Sequence, residues 1–363
     1  MKNSFGNNIN LTIFGESHGA SVGFVLDGIA SGIPVDEEYI QKLLELRRPM
    51  GAISTSRSEK DEFVIQSGVF NGYTTGTPIC ITIPNKDVRS ADYESTAHLA
   101  RPSHADYTAQ CKYRGFQDYR GGGHFSGRIT AALVAAGGII IPALNKKGIY
   151  IGTHIKSCGN VNDRDFEDYK TDITKLSDSS FAVLAEEKAL EMQNEILKAK
   201  ESGDSLGGIL ETAIIGLEAG IGEPWFDSME GMLSHGLFSI PAVKGVEFGL
   251  GFGFARTTGS NANDPFCVED GNVYTSTNNS GGINGGISNG MPVIFRCAFR
   301  PTPTISRPQN TVDFVALQNE TLEAKGRHDP CIIHRARVVV DSVAALVVAD
   351  MLATRHGTDW LAL

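Results

Sequence analysis

Apolar positions in this chain recur with two periods, and each period marks a kind of element. The alternating runs "LTIFGES" (11–17) and "GFVLDGI" (23–29) predict two short strands flanking a loop. "DEEYIQKLLELRRP" (36–49) predicts a helix: Asp36 caps it, Ile40, Leu43 and Leu44 share one face, and Pro49 follows its end. "DEFVIQSGVF" (61–70) and "TPICITIP" (77–84) predict paired strands joined by "NGYTTG". A polar stretch, 85–123, separates them from "RITAALVAAGGIIIPAL" (128–144), which is apolar on every side and predicts a buried helix stopped or kinked near Pro142. "FAVLAEEKALEMQNEILKAKESGDS" (181–205) has helical period. "GGILETAIIGL" (207–217), "GVEFGLGFGF" (245–254) and "MPVIFRCAF" (291–299) predict strands. "TVDFVALQNETLEAKG" (311–326) predicts a helix, and "VVVDSVAALVVADML" (338–352) a buried C-terminal one. Strands and helices alternate unevenly, which favours an α+β fold over a doubly wound sheet. With no shift in composition along its length, residues 1–363 are expected to form a single domain.

Composition narrows the function. The net charge is −10, so a surface that coats nucleic acid or anionic lipid is not expected. Arginines gathered locally in an acidic protein suit a small anionic ligand instead. No run of about 18 uncharged apolar residues marks a membrane span, and the N-terminus lacks the apolar core of a signal peptide. A soluble, cytoplasmic chain is the expectation. The six cysteines include no CxxC pair and no zinc-ligand spacing, so reduced thiols and no metal are expected. Glycine is enriched, 41 of 363 residues, in "YRGGGHFSGR", "GVEFGLGFGFARTTG" and "NNSGGINGGISNGMP". Such loops allow close backbone approach to a ligand, or simply tight turns.

Ionisable residues cluster in six loops: "GESHG" with His18; "RRP" with Arg47, followed by Arg57; "RPSHAD" with His104; "GGGHFSGR" with His124, Ser126 and Arg128; "RPTPT" (300–304); and "GRHDPCIIHRA" (326–336). Each has an ordinary reading taken singly. Asp329 followed by Pro330, for example, resembles a helix N-cap with proline at the first helical position. Together, arginines for carboxylate or phosphate and histidines for protons imply proton handling on a small polyanion.

The collinear order "FGESHG", "RRP", "RPSHADY", "GGGHFSGR", "SIPAVKGVEFG", "GGINGGISNG", "RPTPT" and "KGRHDPC", from about residue 5 to residue 350, resembles the chorismate synthases. The resemblance implies a β-α-β sandwich, helices between two antiparallel sheets, assembled as a homotetramer. It implies a 1,4-anti elimination of phosphate from 5-enolpyruvylshikimate 3-phosphate, dependent on reduced FMN, and leaves open whether NADPH is the reductant. By motif position it assigns proton transfer to His18, His104 and Asp329. Substrate docking falls on Arg47, Arg57, Arg128 and Arg327. Flavin contact falls on His124, Phe125, Ser126, Pro241, Ala242, Gly285, Arg300, Pro301, Thr302, Pro303, Thr304 and Arg327. The chain departs from the family pattern twice. His124 and Phe125 stand where an Arg and a Ser are common, and Arg57 alone follows "RRP" where two further arginines are usual. A phosphomonoester hydrolase using His18 or His104, or a binding protein without turnover, are the competing readings; both dispense with flavin-dependent turnover.

Overall fold

The structure is a computed structural model describing residues 2–55, 60–86, 96–323 and 328–362. Residues 4–84 build one sheet. Its elements are β1 (Ser4–Phe5), β2 (Asn10–Gly15), β3 (Ser21–Asp27), α1 (Glu37–Leu46), β4 (Val64–Ser67), the small ribbon β5 (Val69–Phe70) and β6 (Tyr73–Thr74), and β7 (Ile79–Pro84). The sheet runs β1-β2-β3-β7-β4, every pair antiparallel. Register follows from the period of two: Val22, Phe24 and Leu26 sit opposite Ile83, Ile81 and Ile79, and all six are buried on one face. Asp36 caps α1 as its sequence predicts, accepting from the Tyr39 N–H at 2.9 Å.

Two helices follow, α2 (Asp106–Tyr113) and α3 (Thr130–Lys146). The second sheet comes from β8 (Tyr150–Cys158), β9 (Val161–Asn162), α4 (Tyr169–Ser177), α5 (Glu186–Glu201), β10 (Gly208–Ile215), α6 (Met229–Leu237) and β11 (Val243–Phe248). A single turn, α7 (Gly259–Ala262), precedes the hairpins β12 (Phe266–Glu269) with β13 (Asn272–Thr275) and β14 (Ile283–Asn284) with β15 (Ile287–Ser288). β16 (Val293–Phe299) completes a sheet ordered β11-β16-β10-β8-β9, again antiparallel. The chain ends through β17 (Gln309–Asp313), β18 (Gln318–Leu322) and α8 (Ile333–His356).

The helices α3 and α8 lie between the sheets, α3 against β3 and β7, α8 against β8 and β10, which is the sandwich the resemblance implied. Their close approach has a local cause. A Cβ on Gly137 would stand 2.3 Å from the Ser342 side chain, and one on Gly138 would stand 2.8 Å from Ile40. The paired glycines therefore let α8 and α1 pack directly on the α3 backbone. α3 is long and apolar enough to span a membrane by length and composition, but 89% of that stretch is buried inside the protein. It is a core helix.

Three sequence expectations need correction. Pro142 does not stop α3, which continues to Lys146. Residues 311–326 were expected to form a helix; 309–322 instead form the β17–β18 hairpin. The Asp313 carboxylate accepts the N–H groups of Val315 and Ala316, both at 2.8 Å, which turns the chain, and Leu317 adopts φ +56°. Leu322 alone in the hairpin is buried, so a helical apolar face there had nothing to pack against. Finally, α8 begins at Ile333 with no side-chain cap, so Asp329 is not its N-cap.

The first turn of α8 buries its polar groups. His334 is 2% exposed, stacks on Phe181, and pairs through Nε2 with the Ser54 hydroxyl at 2.8 Å. Burial, with Arg335 adding to it, pushes this imidazole down to about 3. The group is neutral when folded, while in the unfolded chain it takes a proton below ~6.5. Its contribution is complete above that pH and is lost as pH falls toward 3. Asp341 opposes it: burial raises its carboxyl to about 6, so its contribution is present below ~3.8 and fades as pH rises through 6. Comparing the wild type with His334→Gln isolates the first effect. Between pH 7 and pH 5 the wild type should lose about 2 kcal/mol more than the variant, measured by urea unfolding. Equal losses would contradict a neutral buried His334.

Candidate active site

The site is assembled from loops that the two sheets leave at one end of the central helices. Arg47 follows α1 directly and is 7% exposed. Its Nη2 donates to Asp61 Oδ2 at 2.5 Å, and Arg128 Nη1 donates to the other oxygen, Oδ1. Asp61 is completely buried. Burial would raise its carboxyl, but the two guanidiniums override that and hold it below the usual carboxylate range. Arg128 is also held by Asn85 Oδ1 at 2.9 Å and the Pro84 carbonyl at 3.1 Å. Two cations sharing one anion leave a net positive charge at the head of α3.

The glycine loop ahead of Arg128 has a steric reason for its composition. Gly121, Gly122 and Gly123 all have positive φ, and a Cβ on Gly121 would lie 2.1 Å from the His18 ring. The loop thereby closes over "GESHG". The Ser17 N–H donates to the Gly123 carbonyl at 3.1 Å, and Ser17 Oγ pairs with His18 Nδ1 at 3.1 Å. His124 Nδ1 donates to the Gly15 carbonyl at 2.7 Å, tying the loop to the end of β2.

"RPSHAD" and "RPTPT" form a second pairing. Asp106 grips Arg101 with both oxygens, at 2.8 and 2.7 Å, and accepts the Arg101 N–H as well, so the loop folds on itself. His104 Nε2 pairs with Thr304 Oγ1 at 2.6 Å, and Arg300 Nη1 donates to the Ser103 carbonyl at 2.7 Å. Burial, joined by Arg101 and Arg300 and opposed by Asp106, lowers His104 to about 4. The ring is a neutral imidazole near pH 7. Asp329 is fixed on both sides: Oδ1 accepts the Thr55 N–H at 2.8 Å and Oδ2 accepts from Arg335 Nη1 at 2.7 Å. Arg335 Nε donates in turn to the Arg47 carbonyl at 3.0 Å, joining this motif to the first arginine.

A cavity of about 880 Å³ opens between these loops. Of the residues singled out from sequence, Arg47, His104, His124, Phe125, Ser126 and Asp329 are on its wall. So are Pro241, Ala242, Arg300, Thr302 and Pro303. His18, 6% exposed, and the buried Arg128 are not on the wall, nor are Pro301 and Thr304. Gly285 is elsewhere, in the turn of the β14–β15 hairpin. Arg57 and Arg327 lie outside the described residues. The sequence reading passed over Asp61 and Arg335. Two buried arginines require an anion, and the acidic run "SEKDE" shortly after "RRP" was the available signal.

Comparison with known proteins identifies relatives along nearly the whole chain. A family model described as chorismate synthase matches residues 9–353. A chorismate synthase of Pyrococcus abyssi is 47% identical over 349 residues, covering 96% of this chain and 97% of its own. One from Dehalococcoides mccartyi is 46% identical over 360 residues, covering 98% of both. A crystal structure of chorismate synthase is similar with a TM-score of 0.75 at 30% identity, covering 98% of this chain and 94% of that one.

The shared carboxylate gives the first test. Asp61→Asn leaves two buried guanidiniums without their anion, and should cost about 3–5 kcal/mol of stability by denaturant titration. A cost below about 1 kcal/mol would mean the pair behaves like a surface ion pair and does not organise the site.

Proposed function

The chain belongs to the chorismate synthase family, and on that premise we propose that it eliminates phosphate from 5-enolpyruvylshikimate 3-phosphate to form chorismate, with reduced FMN as cofactor. In this reading it is a carbon–oxygen lyase working as one domain over 1–363. The observation that carries the reading is the meeting, in one cavity, of Arg47, His104, His124, Arg300 and Asp329 from five separate motifs. A ligand with two carboxylates and a phosphate needs that concentration of cationic and proton-bearing groups.

The wall suits a flavin. Arg300 Nε and Thr302 Oγ1 are buried without a hydrogen-bond partner among the described residues, and both residues line the cavity. Ala242 holds φ +78°, a conformation that costs a non-glycine residue about 1–2 kcal/mol, beside Pro241 on the same wall. Strain retained at a cavity wall points to a ligand contact. His124, Phe125, Ser126, Pro241, Ala242, Arg300, Thr302 and Pro303 would hold the cofactor. Reduced FMN, when bound, supplies electron density for departure of phosphate from an allylic carbon, recovered as the C6 proton leaves.

The chain's own groups supply position and protons. Arg47, aligned by Asp61, offers a guanidinium to an anionic group of the substrate. His18, held by Ser17 and pressed against Gly121, is assigned the proton for the leaving phosphate. His104, paired through Nε2 with Thr304 and a neutral imidazole near pH 7, is assigned proton transfer to the bound cofactor. Asp329 is held as an acceptor by Thr55 and Arg335 and is assigned to assist the bound flavin in taking the proton that leaves C6. A homotetramer is part of the same reading, supported by large apolar residues left exposed, such as Trp225, Phe226, Phe252 and Val268.

The test is an anaerobic assay of phosphate release from 5-enolpyruvylshikimate 3-phosphate, with and without chemically reduced FMN. Turnover should require the reduced flavin and leave it reduced. Release of phosphate without flavin would favour the hydrolase reading. In the same assay Asp329→Asn should lower turnover by about 10²-fold or more, the range for loss of a general base, with FMN affinity near that of the wild type. Full activity of that variant would remove Asp329 from the chemistry.

A further inference from the structure

The start of α8, with the loop before it, is stitched to the segment after α1 at three points. Asp329 Oδ1 accepts the Thr55 N–H at 2.8 Å, His334 Nε2 pairs with the Ser54 hydroxyl at 2.8 Å, and Arg335 Nε donates to the Arg47 carbonyl at 3.0 Å. Lys200, at the end of α5, holds the same segment by donating to the Ala52 carbonyl at 2.5 Å. Arg335 does more than stitch. Its Nη1 also donates to Asp329 Oδ2 at 2.7 Å, so one guanidinium joins Asp329 to the backbone of Arg47.

The place of this arginine works against its helix. α8 starts at Ile333, so Arg335 is in its first turn, and that turn holds no acidic residue. A cation there opposes the positive end of the helix dipole, where an anion is favoured. Asp329 offsets that opposition from outside the helix. Only a guanidinium suits both acceptors: its planar fork fixes several N–H donors in space, whereas a lysine ammonium is a point charge on a flexible stem. Nor do the two bonds exhaust the side chain. Nη2 has no hydrogen bond among the described residues, the side chain is 19% exposed, and Arg335 lines the cavity together with Arg47 and Asp329.

We infer that Arg335 is a positioning residue for the proposed reaction. It fixes the direction of the Asp329 carboxylate and ties it to Arg47, so that the proton-handling group and the anion anchor keep one separation. The inference rests on the role proposed above for Asp329. Displacing a reacting group by about 1 Å costs about 10²-fold in rate, so the bridge matters although Arg335 itself transfers no proton.

One arm of the test needs no turnover. Hydrogen exchange at the Thr55 amide is followed in the full chain without ligand, for the wild type and for Arg335→Gln. Release of Asp329 should speed that exchange by at least about tenfold through local opening, with the amides of β3 as protected as in the wild type. Arg335→Lys keeps the charge and serves where Arg335→Gln does not fold. It should loosen Thr55 too, because one ammonium does not hold both acceptors. The second arm is the anaerobic assay with reduced FMN. Each variant should lower kcat by at least about tenfold while KM for the ester stays within about threefold, the mark of a lost transition-state alignment. Added to Asp329→Asn, Arg335→Gln should cost less than about threefold more, since a residue that acts through a partner has little left to lose. Unchanged exchange at Thr55, a raised KM at constant kcat, full activity in Arg335→Lys, or losses that multiply in the double variant would each overturn the inference. If the wild type itself makes no chorismate, the proposed function fails, and the exchange result still decides the bridge.

Discussion

Asp61 carries the constraint on which the site depends. A fully buried carboxylate is tolerable only with cations beside it, and here Arg47 at the end of α1 and Arg128 just before α3 supply them. The triad pins the end of α1, the start of α3 and the segment before β4 to one point. Because Arg335 also donates to the Arg47 carbonyl and to Asp329, the start of α8 joins the same network. Four regions are therefore joined at this end of the helices by directional charged hydrogen bonds, which add to the non-directional apolar packing of α1 and α8 on α3. The surplus positive charge faces the cavity through Arg47.

The same electrostatics explain how an acidic chain, net −10, can receive a polyanion. Cations are concentrated where carboxylates hold only part of their charge. Arg101 is neutralised by Asp106, while Arg300 spends Nη1 on a carbonyl and keeps Nε unpartnered among the described residues. Burial first, and the nearby Arg101 and Arg300 after it, take the proton from His104, which is therefore neutral.

Much of this was legible in the sequence. Period-two runs located β2, β3, β7, β10 and β16, and the all-round apolar run located α3, because burial on one face or on every face leaves a direct mark. The motifs named most of the cavity wall. What stayed hidden depends on contacts between distant residues. Asp61 reads as an ordinary acidic residue before a strand until its two arginines arrive. β8, an interior strand between β10 and β9, was passed over because His154 and Lys156 interrupt its apolar pattern; both are held by carboxylates, Asp163 and Asp165 among them. Residues 311–326 looked helical by apolar spacing, but 309–322 form a hairpin whose turn the Asp313 carboxylate holds. Asp329 looked like a cap because Pro330 follows it, yet both its oxygens are taken by Thr55 and Arg335. Gly285 entered through a motif and lies away from the cavity of its own chain.

The central claim is that Arg47, aligned by Asp61, is the anchor for the anionic substrate. Calorimetric binding of 5-enolpyruvylshikimate 3-phosphate to the wild type and to Arg47→Gln tests it most directly, with FMN binding measured alongside. The account expects the variant to bind the ester at least about tenfold more weakly, since a charge-assisted hydrogen bond contributes about 1.5–3 kcal/mol, while FMN affinity stays close to that of the wild type. Unchanged affinity for the ester in a folded Arg47→Gln protein would contradict it.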